Sequence, residues 1–342
     1  MITIRGNKGK PVLIPDQWDE LTPELYTAVS GYIYEMVNGR MDVLDFRLKL
    51  LESLAGYRRS KQKFTAEEQR TINENLFRIS EKIRFCIKPK YHNPEVLDVL
   101  AQPLRELLKE KFPFEIYDQK FRAELKMVEN LLQYGASIRL GMKKNPMEVL
   151  SVFVHEFSSK YNFYFGPYFM IDRNNLAVTD MRAGEFVDAY EYYSLYQRTQ
   201  HMDYLDRLVF TLYRSDRKSY EPVVQLPKVE FSMGQKYGVF LFFQNLMEYL
   251  VNNPLFGILF NRTTDRPAPG ISIGMVSTIY NLSAAGYGTK QDIAQLNLAD
   301  YLSMMVKQMI DAVNQLKTLD KSPTEIAKEL EIPVENVLKM QT

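Results

Sequence analysis

The chain is 342 residues long, with 43 Lys and Arg against 42 Asp and Glu, 46% apolar residues and 25% charged ones. This is the composition of a soluble globular protein with room for two ordinary domains. Its formal charge of +1 argues against a protein that wraps nucleic acid, which needs a basic excess, and its one cysteine, Cys86, excludes an intrachain disulfide or a cysteine-based zinc site.

Met1 to Lys10 carries basic residues with no apolar stretch behind them, so a secretion signal is not expected and reducing cytosol is the expected compartment. Two Asn-x-Ser/Thr triplets, starting at Asn261 and Asn281, then count as chance matches. Ile2 to Ile4 and Pro11 to Ile14, around a Gly6–Gly9 turn, read as a small hairpin. Thr22-Pro23-Glu24 opens a helix with a capping hydroxyl and a proline at the first helical position. Leu25, Val29, Ile33 and Met36 give it an apolar stripe that stops near Gly39. Asp42 caps a second helix, with Leu44, Leu48, Leu51 and Ala55 on one face and Gly56 at its end. Thr65 to Glu68 is a capping box that opens a third, aligning Ile72, Leu76, Ile79 and Ile83.

The same start signal recurs at Asn93-Pro94-Glu95, at Asn145-Pro146-Met147-Glu148 and at Ser322-Pro323-Thr324-Glu325. Tyr161 to Ile171 is crowded with aromatic residues and interrupted by Gly166-Pro167, which favours extended structure. Tyr237 to Val251 is the most apolar window, but Gln244, Asn245 and Glu248 make it too polar and too short to span a bilayer. Leu298 to Leu319 is a long amphipathic helix with Leu302, Val306, Met309, Val313 and Leu316 in its stripe, widened by Met304, Met305 and Ile310. Core packing is the simpler account of that stripe, and an adaptable methionine surface the alternative.

An internal duplication organises these elements. Leu21–Leu51 lies on Met181–Leu212 at an offset of 160 residues and then 161. Tyr26 meets Phe186, Val29 meets Ala189 and Ile33 meets Tyr193; further on, Leu44 meets Leu205, Leu48 meets Val209 and Leu51 meets Leu212. Phe64-Thr65 and Phe231-Ser232 then each open a longer helix. Amphipathic helix pairs also align through their common period, so the repeat competes with that account. The expected fold is mainly α, with two similar helical modules, a small N-terminal β-hairpin and a short β element near 161–171. The expected divisions are 1–150, 151–265 as the second copy, and 266–342 ending in a helix-turn-helix-like tail.

Chemistry-bearing patterns are sparse. His155-Glu156 begins like a zincin motif, but position 159 is Ser, and His92 and His201 lie far away. Gly286-Tyr287-Gly288-Thr289-Lys290 lacks phosphate-loop spacing and reads as a helix end followed by a Thr289 cap. Asp172 to Asn175 resembles the opening of a calcium loop without its glycine and terminal glutamate, and reads as a turn between strand and helix. Glu185, Asp188 and Glu191 are spaced by three on one helix, an arrangement open to acid–base work or to a solvated face.

Tyr161, Tyr164, Tyr168, Tyr192, Tyr193 and Tyr196 form the densest aromatic run. Lys160 and Arg173 are too few basic neighbours for a nucleic-acid platform, which leaves core packing or a protein contact surface. The tail Thr324–Met340 has four Glu against two Lys and offers a major groove only Glu335, Asn336 and Lys339. Packing or recruitment through Ile326, Leu330 and Val337 suits it better than DNA reading.

Trp18-Asp19-Glu20-Leu21-Thr22-Pro23, Phe46 to Leu51, Asp203 to Leu208 with Leu212-Tyr213-Arg214, and Ala285 to Ile293 resemble phrases of uncharacterised helical proteins from Bacteroidetes phages and prophages, encoded near tail genes. The resemblance is spread over the chain and carries no catalytic signature. It implies a non-enzymatic structural or tail-assembly protein, cytoplasmic in the bacterial host or carried in the virion. Its partners would be phage structural or tail proteins or further copies of itself, with no cofactor, metal, small molecule or membrane. A nucleic-acid-associated phage or mobile-element protein using the C-terminal tail is the alternative, and a carboxylate-dependent enzyme the third.

Overall fold

A computed structural model describes residues 1–5, 11–56, 65–91, 132–136, 141–147, 149–153, 161–260 and 275–340. The fold is mainly helical, with short strands paired two by two among the described residues. The chain divides into two compact units, Met1–Met142 with Ser232–Gly238, and Lys143–Phe231 with Val239–Thr342.

The first unit begins with β1 (Ile2–Arg5) antiparallel to β2 (Pro11–Ile14), Ile2 opposite Ile14. The Gly6–Gly9 turn lies outside the described residues. In α1 (Pro23–Val37) the Thr22 hydroxyl accepts the Leu25 N–H at 3.3 Å, and in α2 (Val43–Leu54) the Asp42 carboxylate accepts that of Asp45 at 2.7 Å. Each cap satisfies an N–H that the helix leaves without a partner. Tyr26, Val29 and Ile33 are fully buried, and the chain leaves α1 through Gly39 at φ 69°, a left-handed conformation that glycine adopts without steric cost.

Trp18 supports that core, its ring edge-on to Tyr26 at 5.7 Å and to Phe85 at 5.3 Å. α3 (Ala66–Ser80) carries the expected box, with Thr65 Oγ1 accepting the Glu68 N–H and Glu68 accepting the Thr65 N–H. The opening turns of a later helix, α6 (Met233–Asn252), also belong to this unit. There the Tyr26 hydroxyl donates to the Gly238 carbonyl at 2.8 Å. Gly234 lies so close to α1 that a Cβ would fall 2.3 Å from the Thr27 carbonyl oxygen.

The extended stretch expected at 161–171 is present as two strands, Tyr161–Phe165 and Phe169–Ile171, but other strands escape the sequence signals. β3 (Ile87–Tyr91) pairs antiparallel with β4 (Leu132–Ala136) although Pro89 argues against a strand; in a two-stranded ribbon both strands are edges, where a missing N–H is tolerated. Asn145-Pro146 starts no helix. Its side chain instead accepts the Met147 N–H at 3.1 Å, and the chain passes into β5 (Val149–Phe153), antiparallel to β6 (Tyr161–Phe165). The side chain of Asn145 also donates to the Pro167 carbonyl and accepts from the Tyr213 hydroxyl, so tertiary partners claim the residue that local spacing assigned to a cap. The start signal at Asn93 lies outside the described residues.

β7 (Phe169–Ile171) and β8 (Ala177–Thr179) form a further hairpin in the second unit. Its turn is Asp172–Asn175, which joins two strands and not a strand to a helix, with Asp172 Oδ1 accepting the N–H groups of Asn174 and Leu176 at 2.8 Å each. Then follow α4 (Ala183–Thr199), α5 (Met202–Leu212) and the rest of α6. Tyr193 stacks on Phe240 at 5.3 Å, Phe186 meets Phe243, and Phe169 lies edge-on to Phe242 and Tyr249.

Among the described residues the later helices are α7 (Val276–Ala284), α8 (Lys290–Gln295), α9 (Leu298–Thr318), α10 (Pro323–Leu330) and α11 (Val334–Met340). Among the described residues no helix is long and apolar enough to cross a membrane. Backbone bonds from Ala183 N–H to Leu296 O and from Leu298 N–H to Met181 O, both 2.9 Å, fix the start of α9 beside the start of α4.

The order hairpin, helix pair, third helix thus occurs twice: β1–β2 with α1, α2 and α3, then β7–β8 with α4, α5 and α6. The aligned pairs Tyr26 and Phe186, Val29 and Ala189, Leu44 and Leu205, Leu48 and Val209, and Leu51 and Leu212 are all buried. The third helices start alike as well, since Ser232 and Gln235 exchange the same two bonds as Thr65 and Glu68. The likeness is not carried through the helix pairs, because Thr22 and Asp42 cap α1 and α2 with their side chains whereas the N-cap residues of α4 and α5, Arg182 and His201, make no such bond.

Candidate protein-contact site

The three spaced carboxylates do not share one environment. Steps of three on a helix of 3.6 residues per turn rotate by about 60° each, so Glu185 and Glu191 point about 120° apart. Glu185 is buried, Asp188 half-buried and Glu191 exposed. Glu185 caps α4 by accepting the Arg182 N–H at 3.1 Å and takes both prongs of Arg217, at 2.7 and 3.0 Å. Asp188 accepts from the Tyr220 hydroxyl.

Burial pushes the Glu185 carboxyl above its ordinary pKa, against the pull of Arg217. Burial raises Asp188 too, against the Tyr220 hydrogen bond and the Arg214 charge. For Arg217, burial favours losing the proton, but the charges of Glu185 and Asp180 outweigh it and hold the guanidinium above its usual value. The Tyr220 phenol rises by burial and by the Asp188 charge beside it. Tyr220 also sits under the Arg214 guanidinium at 4.8 Å and exchanges two backbone bonds with the Gln295 side chain, at 2.9 and 2.7 Å. These groups fasten the segment after α5 to α4 and α8.

Other patterns resolve in the same direction. Among the described residues no three or more His, Cys, Asp and Glu side chains gather as a metal site would require. His201 is exposed ahead of α5, and His92 and His155 lie outside the described residues. Cys86 is buried, and burial pushes its thiol up to about 12, leaving it an inert core group. Gly286 ends α7, and Thr289 and Asp292 complete the capping box of α8.

In the tail, Ile326 and Val337 pack with Val313, Ala327 and Ile332 in a small core, so these side chains hold α10 and α11 on α9 and do not face a partner. Asn336, one of the three groups considered for a major groove, is buried. The α9 stripe is core as well: Leu302, Val306 and Val313 are buried, and Met309 and Leu316 pack against the same cluster.

The tyrosines separate into two groups. Tyr164, Tyr193 and Tyr196 are buried within the chain's own aromatic core, Tyr164 against Phe210 and Phe231 and the other two against Phe240. They are core residues and offer no contact surface. Tyr161 lies on β6, and Tyr192 is half-buried under the Arg207 guanidinium at 5.9 Å. Tyr168 is exposed.

Around Tyr168 lies a surface that spacing alone did not reveal. Strand alternation sends Phe169 inward onto α6 and leaves Tyr168 and Met170 outside. On β8 and its turn Val178 and Leu176 also stand outside, and on β6 Phe163 and Phe165 flank the buried Tyr164. These six apolar side chains are between 39% and 58% exposed. Tyr168 Oη donates to the Met170 sulfur at 3.6 Å, joining two of them. The sequence 163–171 is apolar or aromatic on both strand faces, so no alternation marks which face turns outward.

Comparison with protein-family models, with curated proteins and with solved structures gives no match.

Proposed function

We propose that the chain is a non-enzymatic component of phage or prophage particle assembly, of the tail-gene type its sequence resembles, acting through protein contacts. The observation that carries this reading is the exposed apolar group on the β7–β8 hairpin and the residue before it, Tyr168, Met170, Leu176 and Val178, with Phe163 and Phe165 exposed on β6 as well. Isolated exposed apolar residues need no explanation, but a group of this extent on one strand region is typical of a surface that another protein covers. The carboxylates that an enzyme would have needed serve an ion pair, a phenol and solvent. The compartment proposed is the bacterial cytoplasm, with carriage into the virion for a part that stays assembled.

The test is a photo-reactive amino acid at Val178, expressed in a host that carries the surrounding phage genes. Crosslinks to a tail or virion protein, or to a second copy of this chain, are expected. Crosslinks to nothing, with the fold intact, would sink the reading.

A further inference from the structure

Asn38 and Gly39 turn the chain out of α1, and Asn38 is the one asparagine of the sequence that a glycine follows. The exit is a paired C-cap. The Gly39 N–H donates to the Met36 carbonyl at 3.1 Å and the Arg40 N–H to the Glu35 carbonyl at 2.8 Å, with Gly39 left-handed at φ 69°. The Asn38 side chain adds a third bond, its Nδ2 donating to the Tyr34 carbonyl at 2.8 Å. Asn38, Gly39 and Arg40 are exposed, and apart from its chain neighbours no atom lies within 4 Å of where a Cβ on Gly39 would stand.

We propose that Asn38 is a site of spontaneous deamidation, gated by the last turn of α1. The Gly39 nitrogen gives up its proton to hydroxide and attacks Asn38 Cγ. A bond forms between that nitrogen and Cγ, the Cγ–Nδ2 bond breaks, and the amide takes a proton from water and leaves as ammonia. The product is a five-membered succinimide. Water then adds to one of its two carbonyls. Opening at Cγ leaves an aspartate on the original backbone, and opening at the main-chain carbonyl leaves an isoaspartate whose chain runs through Cβ.

Two features select this asparagine. A side chain on the following residue crowds the approach of its nitrogen to Cγ, and glycine carries none. The other asparagines precede residues such as Leu, Pro, Lys and Glu. The pair also stands at an exposed helix end, where the last turn frays before the rest of the helix opens. In the closed cap the reaction is held back, because the attacking N–H is bonded to Met36 and the leaving amide to Tyr34. One fraying event frees both.

The product cannot restore the cap. A carboxylate at position 38 has no N–H for the Tyr34 carbonyl, and it places a negative charge beside carbonyls that already carry the negative end of the helix dipole. Open space at Gly39 accommodates the longer isoaspartyl backbone. Deamidation therefore loosens the corner between α1 and α2 irreversibly.

Incubation of the purified full chain at mildly alkaline pH, followed by digestion and mass spectrometry, tests this without any variant. Asn38 should convert before every other asparagine, into a mixture of aspartyl and isoaspartyl peptides, and faster in concentrated urea, where no cap holds it. An Asn38 that stays amidated while other asparagines convert, or that converts equally fast in urea and in buffer, overturns the proposal. Asn38→Gln, which would have to close a six-membered ring, should abolish the conversion. Asn38→Asp reports the consequence: amide exchange at Gly39 and Arg40 should accelerate about fivefold with an unchanged circular dichroism spectrum. Exchange at the native rate in that variant would overturn the loosening.

Discussion

Arg217 and Glu185, 32 residues apart in the chain, meet as a two-pronged ion pair with the carboxylate almost wholly buried. Arg217 also donates to the Leu212 carbonyl at 2.8 Å, so a single side chain ties the segment after α5 to the end of α5 and to the first turn of α4. Removing one partner strands the other charge in a poorly solvated place. Arg217→Ala or Glu185→Ala should each cost about 3–5 kcal/mol in urea unfolding, whereas replacing both with apolar residues of similar volume should cost much less. Equal losses in the single and double variants would show that packing, and not the unpaired charge, sets the cost.

The two raised carboxyls give stability a definite dependence on pH. Both Glu185 and Asp188 hold their protons more tightly in the folded chain than at the ordinary values of 4.5 and 3.8. Between those values and the folded ones the native state binds more protons than the unfolded state, so this contribution falls as pH rises through the window. It is fully present below the unfolded values and lost above the folded ones. Asp188→Asn keeps a group able to accept from Tyr220 and removes the titration. Its stability should be less sensitive to pH on the acid side of neutral and at pH 7 should equal or exceed that of the native chain. A variant with an unchanged pH profile would assign the dependence elsewhere.

Local signals were legible wherever a helix end is decided by its own side chains. Thr22, Asp42, Thr65, Thr289 and Ser322 all cap the helices that their spacing announced. Asn145 misled for the opposite reason, because Pro167 and Tyr213, distant in sequence, claim its side chain. The carboxylates of α4 could not be assigned from spacing either, since their partners Arg217 and Tyr220 arrive through a segment without regular structure. Tyrosine density marked the right region but not the right residues. Which ring faces out depends on which face of β6 and β7 meets the helices, and Tyr164 and Tyr168 fall on opposite sides of that choice.

The alike starts of α3 and α6 make a paired prediction. Thr65→Ala and Ser232→Ala each remove the hydroxyl that accepts a third-residue N–H, and each should cost about 1 kcal/mol in thermal or urea unfolding. Replacing either residue by Asp, which caps as well, should restore most of the loss. A loss that Asp fails to restore would mean that the hydroxyl acts through something other than capping.

Close approach of α1 to the first turns of α6 depends on the missing side chain of Gly234. A Cβ there would sit 2.3 Å from the Thr27 carbonyl oxygen, and backbone cannot yield as the far end of a flexible side chain can. Gly234→Ala should therefore cost about 1–3 kcal/mol despite the better helix propensity of alanine. Gly39 has open space around it but lies at φ 69°, so Gly39→Ala should lose only the smaller left-handed penalty, about 1–2 kcal/mol. Equal stability of Gly234→Ala and the native chain would place α6 farther from α1 than described.

The tail offers a test of whether its core is local. Val313 and Ile326 are fully buried in a cluster completed by Ala327, Ile332 and Val337, with Met309, Leu316, Leu330 and Met340 around it. Truncating Ile326 to Ala opens a cavity and should cost about 2–5 kcal/mol of whatever unfolding exposes that cluster. The helices it holds are short, 8 residues in α10 and 7 in α11, and helices of that length do not persist without tertiary packing. The loss should therefore appear as faster amide exchange over 322–340 while α4 and α5 keep their protection, because a segment with few buried contacts opens before the whole unit does. Exchange that accelerates uniformly across α4, α5 and the tail would mean that the cluster is part of one cooperative core.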